Sequence, residues 1–132
     1  MTQPSMARVP ETANKTKNIV LWVIQALLAA MFLMAGGSKL AGTTDMVQLF
    51  DAVGQGQWFR YVTGVIEVGS AILLLIPGRA AIGSVLLSCT MAGAILTHLT
   101  ILHNSPALPV ALLVGALIVL WGRSGQLKQL GA

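Results

Sequence analysis

Glu67 is a carboxylate in the middle of an apolar run, seven residues beyond Arg60. If the run is helical, that spacing is two turns, about 10 Å deeper on the same face. A charged carboxylate there costs several kcal/mol unless it is paired, protonated or facing a wet cavity. The residues sharing its face, Arg60, Thr63, Gly64, Ser70 and Ala71, are small or polar, so Glu67 is expected to point into a helix bundle. An upstream apolar run offers a matching face: Gln25, Ala29, Phe32, Gly36 and Lys39 follow the i, i+4, i+7, i+11, i+14 pattern. His98 lies about one turn short of the end of a third run, with His103 at its boundary. Glu67, Lys39, Arg60, His98 and Gln25 are therefore the candidates for binding a ligand or relaying a proton. The same Glu67 paired with Lys39 or Arg60 could instead only fix helix register. Histidines five residues apart do not share a helix face, so His98 and His103 form no metal pair, and no metal site is expected.

The elements that must position these residues follow from composition. Of 132 residues, 55% are hydrophobic and 9% charged, against roughly 25% charged in ordinary soluble domains. A soluble domain of this size could not hide that much apolar surface, so lipid must cover it. Lys15 and Lys17 precede an uncharged run from Asn18 to Ser38, long enough to span a bilayer. It is long for a signal-peptide core and lacks a small-x-small cleavage site, so it is read as a span. Residues 39–57 are polar and Gly-rich with an apolar stripe at Met46, Val47, Leu49 and Phe50, a loop with room for a short interfacial helix. Further spans are expected at 58–76, stopped by Pro77-Gly78, at 80–102, and at 107–121. Their connections are short, which makes these three antiparallel neighbours.

The expected fold is thus all-α: a four-transmembrane-helix bundle at 18–123, between a mobile tail at 1–17 and a short tail at 124–132. Arg8, Lys15, Lys17, Arg79, Arg123 and Lys128 fall on one side of such a bundle, and only Lys39 and Arg60 on the other, which places both termini in the cytoplasm. Small-xxx-small spacings (Ala26/Ala30, Ser84/Ser88/Ala92, Cys89/Gly93/Thr97, Ala111/Gly115) are candidate packing seams, within the bundle or between copies. The lone Cys89 excludes an internal disulfide and a CxxC redox pair. Basic residues flanking apolar runs suit a bilayer, not nucleic acid.

Two segments resemble the signatures of DoxX and DoxX-like membrane proteins. Met34-Ala35-Gly36-Gly37-Ser38-Lys39-Leu40 resembles their G-x-x-K-(L/F) motif, and Thr63-Gly64-Val65-Ile66-Glu67-Val68-Gly69-Ser70 their G-x-x-E-hydrophobic-(G/A) motif. The exit through Pro77-Gly78-Arg79-Ala80-Ala81 is similar too, and the likeness covers residues 18–123. It implies a four-helix bundle in the bacterial inner membrane, with Lys39 and Glu67 as its signature polar positions. Members are linked to quinone chemistry, oxidative-stress complexes and membrane-protein assembly. Three functions follow as expectations. The first is an accessory subunit of a redox- or quinone-linked complex, and the second a non-catalytic assembly or scaffold protein working with other membrane proteins or as a homo-oligomer. The third, a small proton-coupled exporter, fits less well, because Lys39 and Arg60 would repel cationic substrates. No nucleotide loop or haem ligand pair is present, and nothing in the residues names a cofactor or decides whether the chain is an enzyme.

Overall fold

A computed structural model describes residues 11–130 and, within them, contains helices and no strand. The helices are α1 (Glu11–Ala41), α2 (Thr44–Val53), α3 (Gln57–Leu75), α4 (Ala80–Thr97), α5 (Ala107–Gly122) and α6 (Gly125–Leu130). α4 continues into a π-helical turn, His98–Leu102.

α1 is longer than its apolar run. Residues 11–17, expected to belong to a tail, are its first turns, because no proline interrupts the chain between 11 and 76. Residues 1–10 lie outside the described part. At its other end, Gly42 adopts φ 69°, and its N–H and that of Thr43 donate to the Ser38 carbonyl at 3.1 and 3.2 Å. This left-handed glycine cap turns the chain into α2. α2 occupies the polar stretch 39–57 and buries Phe50 and Val53. Pro77 and Gly78 (φ 85°) reverse the chain between α3 and α4. His103, with φ 52°, closes the π turn before Asn104-Ser105-Pro106 leads into α5. The expected tail after residue 123 instead forms α6, docked on α4 by a 3.0 Å bond from the Ala81 N–H to Gln126 Oε1.

α1, α3, α4 and α5 run alternately up and down around a core that includes Phe32, Leu74, Leu87, Ala116 and Val119. Their outer faces carry Leu27, Met34, Val65, Ile72, Leu96, Leu117 and Trp121, all exposed. An apolar exterior around a tight core is the pattern of a protein in lipid, where every backbone group is satisfied inside a helix. Three helical stretches are long and apolar enough to cross a membrane: 14–41, 57–75 and 80–102. The fourth apolar helix, α5, has 16 residues, about 24 Å against a hydrocarbon core of about 30 Å.

The small-residue spacings mark the seams only in part: Ser84 is buried and a Cβ on Gly115 would stand 3.1 Å from Leu28 Cδ2. Ala26, Ala30, Cys89, Ala92, Gly93 and Ala111 are all exposed. The backbones meet at Gly36 and Gly64 instead: a Cβ on Gly36 would stand 2.9 Å from the Gly64 carbonyl oxygen. Gly83 makes the equivalent approach of α4 to α3, 2.8 Å from the Ser70 carbonyl oxygen. Close contact through glycine supplies the van der Waals attraction that lipid cannot.

Candidate functional site

The register of α3 buries Arg60, Gly64, Glu67, Ser70, Ala71 and Leu74 along one stripe. Gly64 on this stripe touches Gly36 of α1, and Lys39 lies three residues further along α1. That places Lys39 on the same side of the helix, one turn on. Lys39 Nζ stands 2.7 Å from Glu67 Oε1, with the two side chains 13% and 3% exposed. The carboxylate in the apolar run is therefore charge-paired.

Arg60, the other cation expected near Glu67, points elsewhere. Its Nη1 donates to the Lys39 carbonyl, its Nε donates to Gln57 Oε1 at 2.7 Å, and its guanidinium lies over the Tyr61 ring at 4.3 Å. Gln57 Nε2 continues the network to Asp51 Oδ1 at 2.8 Å and to the Val47 carbonyl at 3.0 Å. Arg60 thus ties together the end of α1, α2 and the start of α3, and so holds Lys39 in place through its backbone. The sequence does not mark Gln57 and Asp51 as partners of Arg60, because the polar stretch 39–57 carries no periodic signal that would bring them together.

Beside the ion pair lies a cavity of about 870 Å³ bounded by α1, α2, α3, α4 and α5. Lys39, Glu67, Ser38, Thr63, Thr97 and His98 supply polar groups, and the rest of its wall is chiefly apolar. All four described methionines, Met31, Met34, Met46 and Met91, line it, together with Cys89. Met34 and Leu108, on its rim, are well exposed, so the cavity opens sideways between the helices. Flexible thioethers fit irregular apolar ligands and make favourable contacts with aromatic rings. His98, on the π turn, pairs through Nδ1 with Asn104 Oδ1 and faces the same cavity. Among the described residues no three His, Cys, Asp or Glu side chains gather to hold a metal.

Gln25 is elsewhere altogether. Fourteen residues before Lys39, it is displaced by about 21 Å along α1. There its Nε2 donates to the Leu74 carbonyl at 2.7 Å and its Oε1 accepts from Arg123 Nε at 2.8 Å. The helical face that links Gln25 to Lys39 is real, but it spans the bundle and not one site.

A family model described as DoxX-like matches residues 23–121. The chain belongs to the DoxX-like family. The matched stretch of this DoxX-like protein holds Gln25 and Arg60 as well as Lys39, Glu67 and His98 on the polar side of the cavity. It is also similar to a Bacillus subtilis (strain 168) protein named "Putative oxidoreductase CatD", at 29% identity over 84 residues. That match covers 64% of this chain and 63% of the relative, so the DoxX-like chain spans less than two thirds of that protein's length. No solved structure matches it.

Proposed function

We propose that this DoxX-like protein is an accessory subunit of a redox-linked membrane complex, and that its cavity takes the headgroup of a quinone. The observation that carries the proposal is one buried ion pair on the wall of an otherwise chiefly apolar cavity of about 870 Å³ that opens sideways between helices. A membrane-dissolved aromatic ring has a route in from the bilayer. The ammonium of Lys39 has three donors and gives one to Glu67, which leaves donors for a ring carbonyl. Similarity to a protein named as an oxidoreductase supports the redox assignment. A quinone would supply the electron-accepting chemistry when bound. The residues here bind and orient it, and electrons must come from a partner protein.

In this proposal α1, α3, α4 and α5 are four spans of a bacterial inner-membrane protein with both termini in the cytoplasm. The described cations support that orientation: Lys15, Lys17, Arg79, Arg123 and Lys128 belong to one side and Lys39 and Arg60 to the other, while Arg8 lies outside the described residues. The shorter α5 is accommodated by local thinning of the bilayer or by residues at its ends.

Purification from native membranes in mild detergent tests the proposal. Quinone and partner proteins should co-purify with the wild type, and added quinone should raise its thermal stability but not that of Glu67→Gln. A wild type that carries neither, and that no quinone stabilises, sinks it. The near-complete closure of the Lys39–Glu67 pair favours a second reading, a scaffold in which the pair only locks α1 against α3. In that case Glu67→Gln lowers stability and leaves the partner set and any ligand affinity untouched.

A further inference from the structure

The end of the bundle opposite the cavity holds a second polar site that the redox reading does not use. Arg123 stands just after α5, where its Nε donates to Gln25 Oε1 and its Nη1 to Asn18 Oδ1 at 2.9 Å. Both acceptors are neutral amides. Nη2 is buried without a protein hydrogen-bond partner. Burial pulls this guanidinium below its usual arginine value.

A second cation shares the place. Lys17 and Arg123 line one cleft of about 250 Å³, together with the amide side chains of Asn14 and Asn18. Arg79 and Lys128 belong to the same end of the bundle, at the start of α4 and on α6. Asp45 and Asp51 on α2 and Glu67 on α3 lie in the other half. Two cations and two amides therefore converge on a small cleft.

The depth of the cleft is set by tryptophan. Lys17 Nζ lies 5.0 Å from the centre of the Trp121 ring, and the Arg123 guanidinium lies over Trp22 at 5.7 Å. Tryptophan collects at the headgroup level of a bilayer, so the cleft lies where lipid phosphates lie. Guanidinium and ammonium together suit a phosphate, whose oxygens accept from both, and amide nitrogens complete the shell.

We propose that the cleft between α1 and the end of α5 binds a phosphate group, that of an anionic phospholipid headgroup or of a free phosphate ion. Seated there, the phosphate bridges α1 and α5, the first and last long helices, and offsets the charge on Arg123. The proposal is independent of the quinone reading, since the two sites stand at opposite ends of the bundle.

The test is a titration of the full-length protein in neutral detergent, followed by native mass spectrometry or thermal shift. Three probes separate the sources: phosphatidylglycerol, phosphatidylcholine and inorganic phosphate. Selective binding of phosphatidylglycerol over phosphatidylcholine supports the headgroup as occupant. Saturable binding of inorganic phosphate, equal lipid binding notwithstanding, supports the free ion. Arg123 also holds Gln25, so Lys17→Gln is the informative variant. It should weaken binding about fivefold, the loss expected for one cation at a membrane surface. Lys128→Gln, at the same end but outside the cleft, should weaken it less. No preference for phosphatidylglycerol and no phosphate binding overturns the proposal, as does an equal loss from the two variants, which would reduce it to diffuse surface charge.

Discussion

Lys39 and Glu67 meet at 2.7 Å across the seam between α1 and α3, beside the point where Gly36 and Gly64 bring the two backbones together. The glycines and the ion pair form one device. Without side chains at 36 and 64 the helices come close enough for a lysine to reach a carboxylate buried in an apolar wall. The pair in turn fixes which residues of α1 face which residues of α3.

Removing one member should hurt more than removing both. Lys39→Met leaves Glu67 buried without a counterion, and the cost of breaking such a pair is about 3–5 kcal/mol. Lys39→Met with Glu67→Met removes the unpaired charge and should recover most of that loss. Reversible unfolding in mixed micelles, run as a double-mutant cycle, measures the coupling. If the double variant loses the sum of the two single losses, the pair carries no coupling.

The glycine seam makes a sharper prediction. A Cβ at Gly36 would sit 2.8 Å from Val68 Cγ2 and 2.9 Å from the Gly64 carbonyl, and the second neighbour is backbone that cannot turn away. Gly36→Ala should therefore cost about 1–3 kcal/mol, in the range of overpacked cores. Gly37, the next residue, has nothing within 4 Å of a built Cβ. Gly37→Ala should be neutral or stabilise by up to about 1 kcal/mol through helix propensity. A comparable loss at both positions would mean that α1 and α3 are not packed through Gly36.

These two glycines show what the sequence could and could not reveal. Glu67, Lys39 and the spans stood out because charge is rare and apolar runs are long in this chain. The inward direction of Glu67 was readable from the small and polar residues three, four and seven positions away. Its partner was not. Arg60 shares its helix face and lay open as a partner alongside Lys39, but reach across a seam depends on how closely two backbones approach. Small residues at i and i+4 were equally ambiguous: Gly36 and Gly64 face a helix, whereas Ala26 and Ala30 face outward. Gln25 fell on the Lys39 face, but a face has length as well as direction, and Gln25 ended up with Arg123. No pattern in the sequence announced the cavity, because five helices contribute to it and its volume follows from their spacing.

Arg60 should act as a positioning residue. It joins α1, α2 and α3 through the Lys39 carbonyl and Gln57. Arg60→Lys keeps the charge but loses the planar fork that reaches both partners at once. The expected outcome is faster hydrogen exchange in α2 and at the end of α1, with α4 and α5 unchanged. Exchange that rises uniformly over the bundle, or nowhere, contradicts that role.

The Gln25–Arg123 contact offers a control for every claim about the cavity. Gln25→Leu removes the acceptor for Arg123 Nε and the donor to the Leu74 carbonyl, and both groups are left in a protein interior. Stranding buried polar groups costs about 1–3 kcal/mol each, so the variant should be clearly less stable than the wild type. Its cavity, about 21 Å away along α1 by helical rise, should be intact. Ala94→Phe should behave in the opposite way: Ala94 lines the cavity, and a ring there fills space that a ligand needs while the fold survives. Quinone-induced thermal stabilisation should thus persist in Gln25→Leu, on a lowered baseline, and vanish in Ala94→Phe. If both variants lose it, the response to quinone reports stability alone and not occupancy of the cavity.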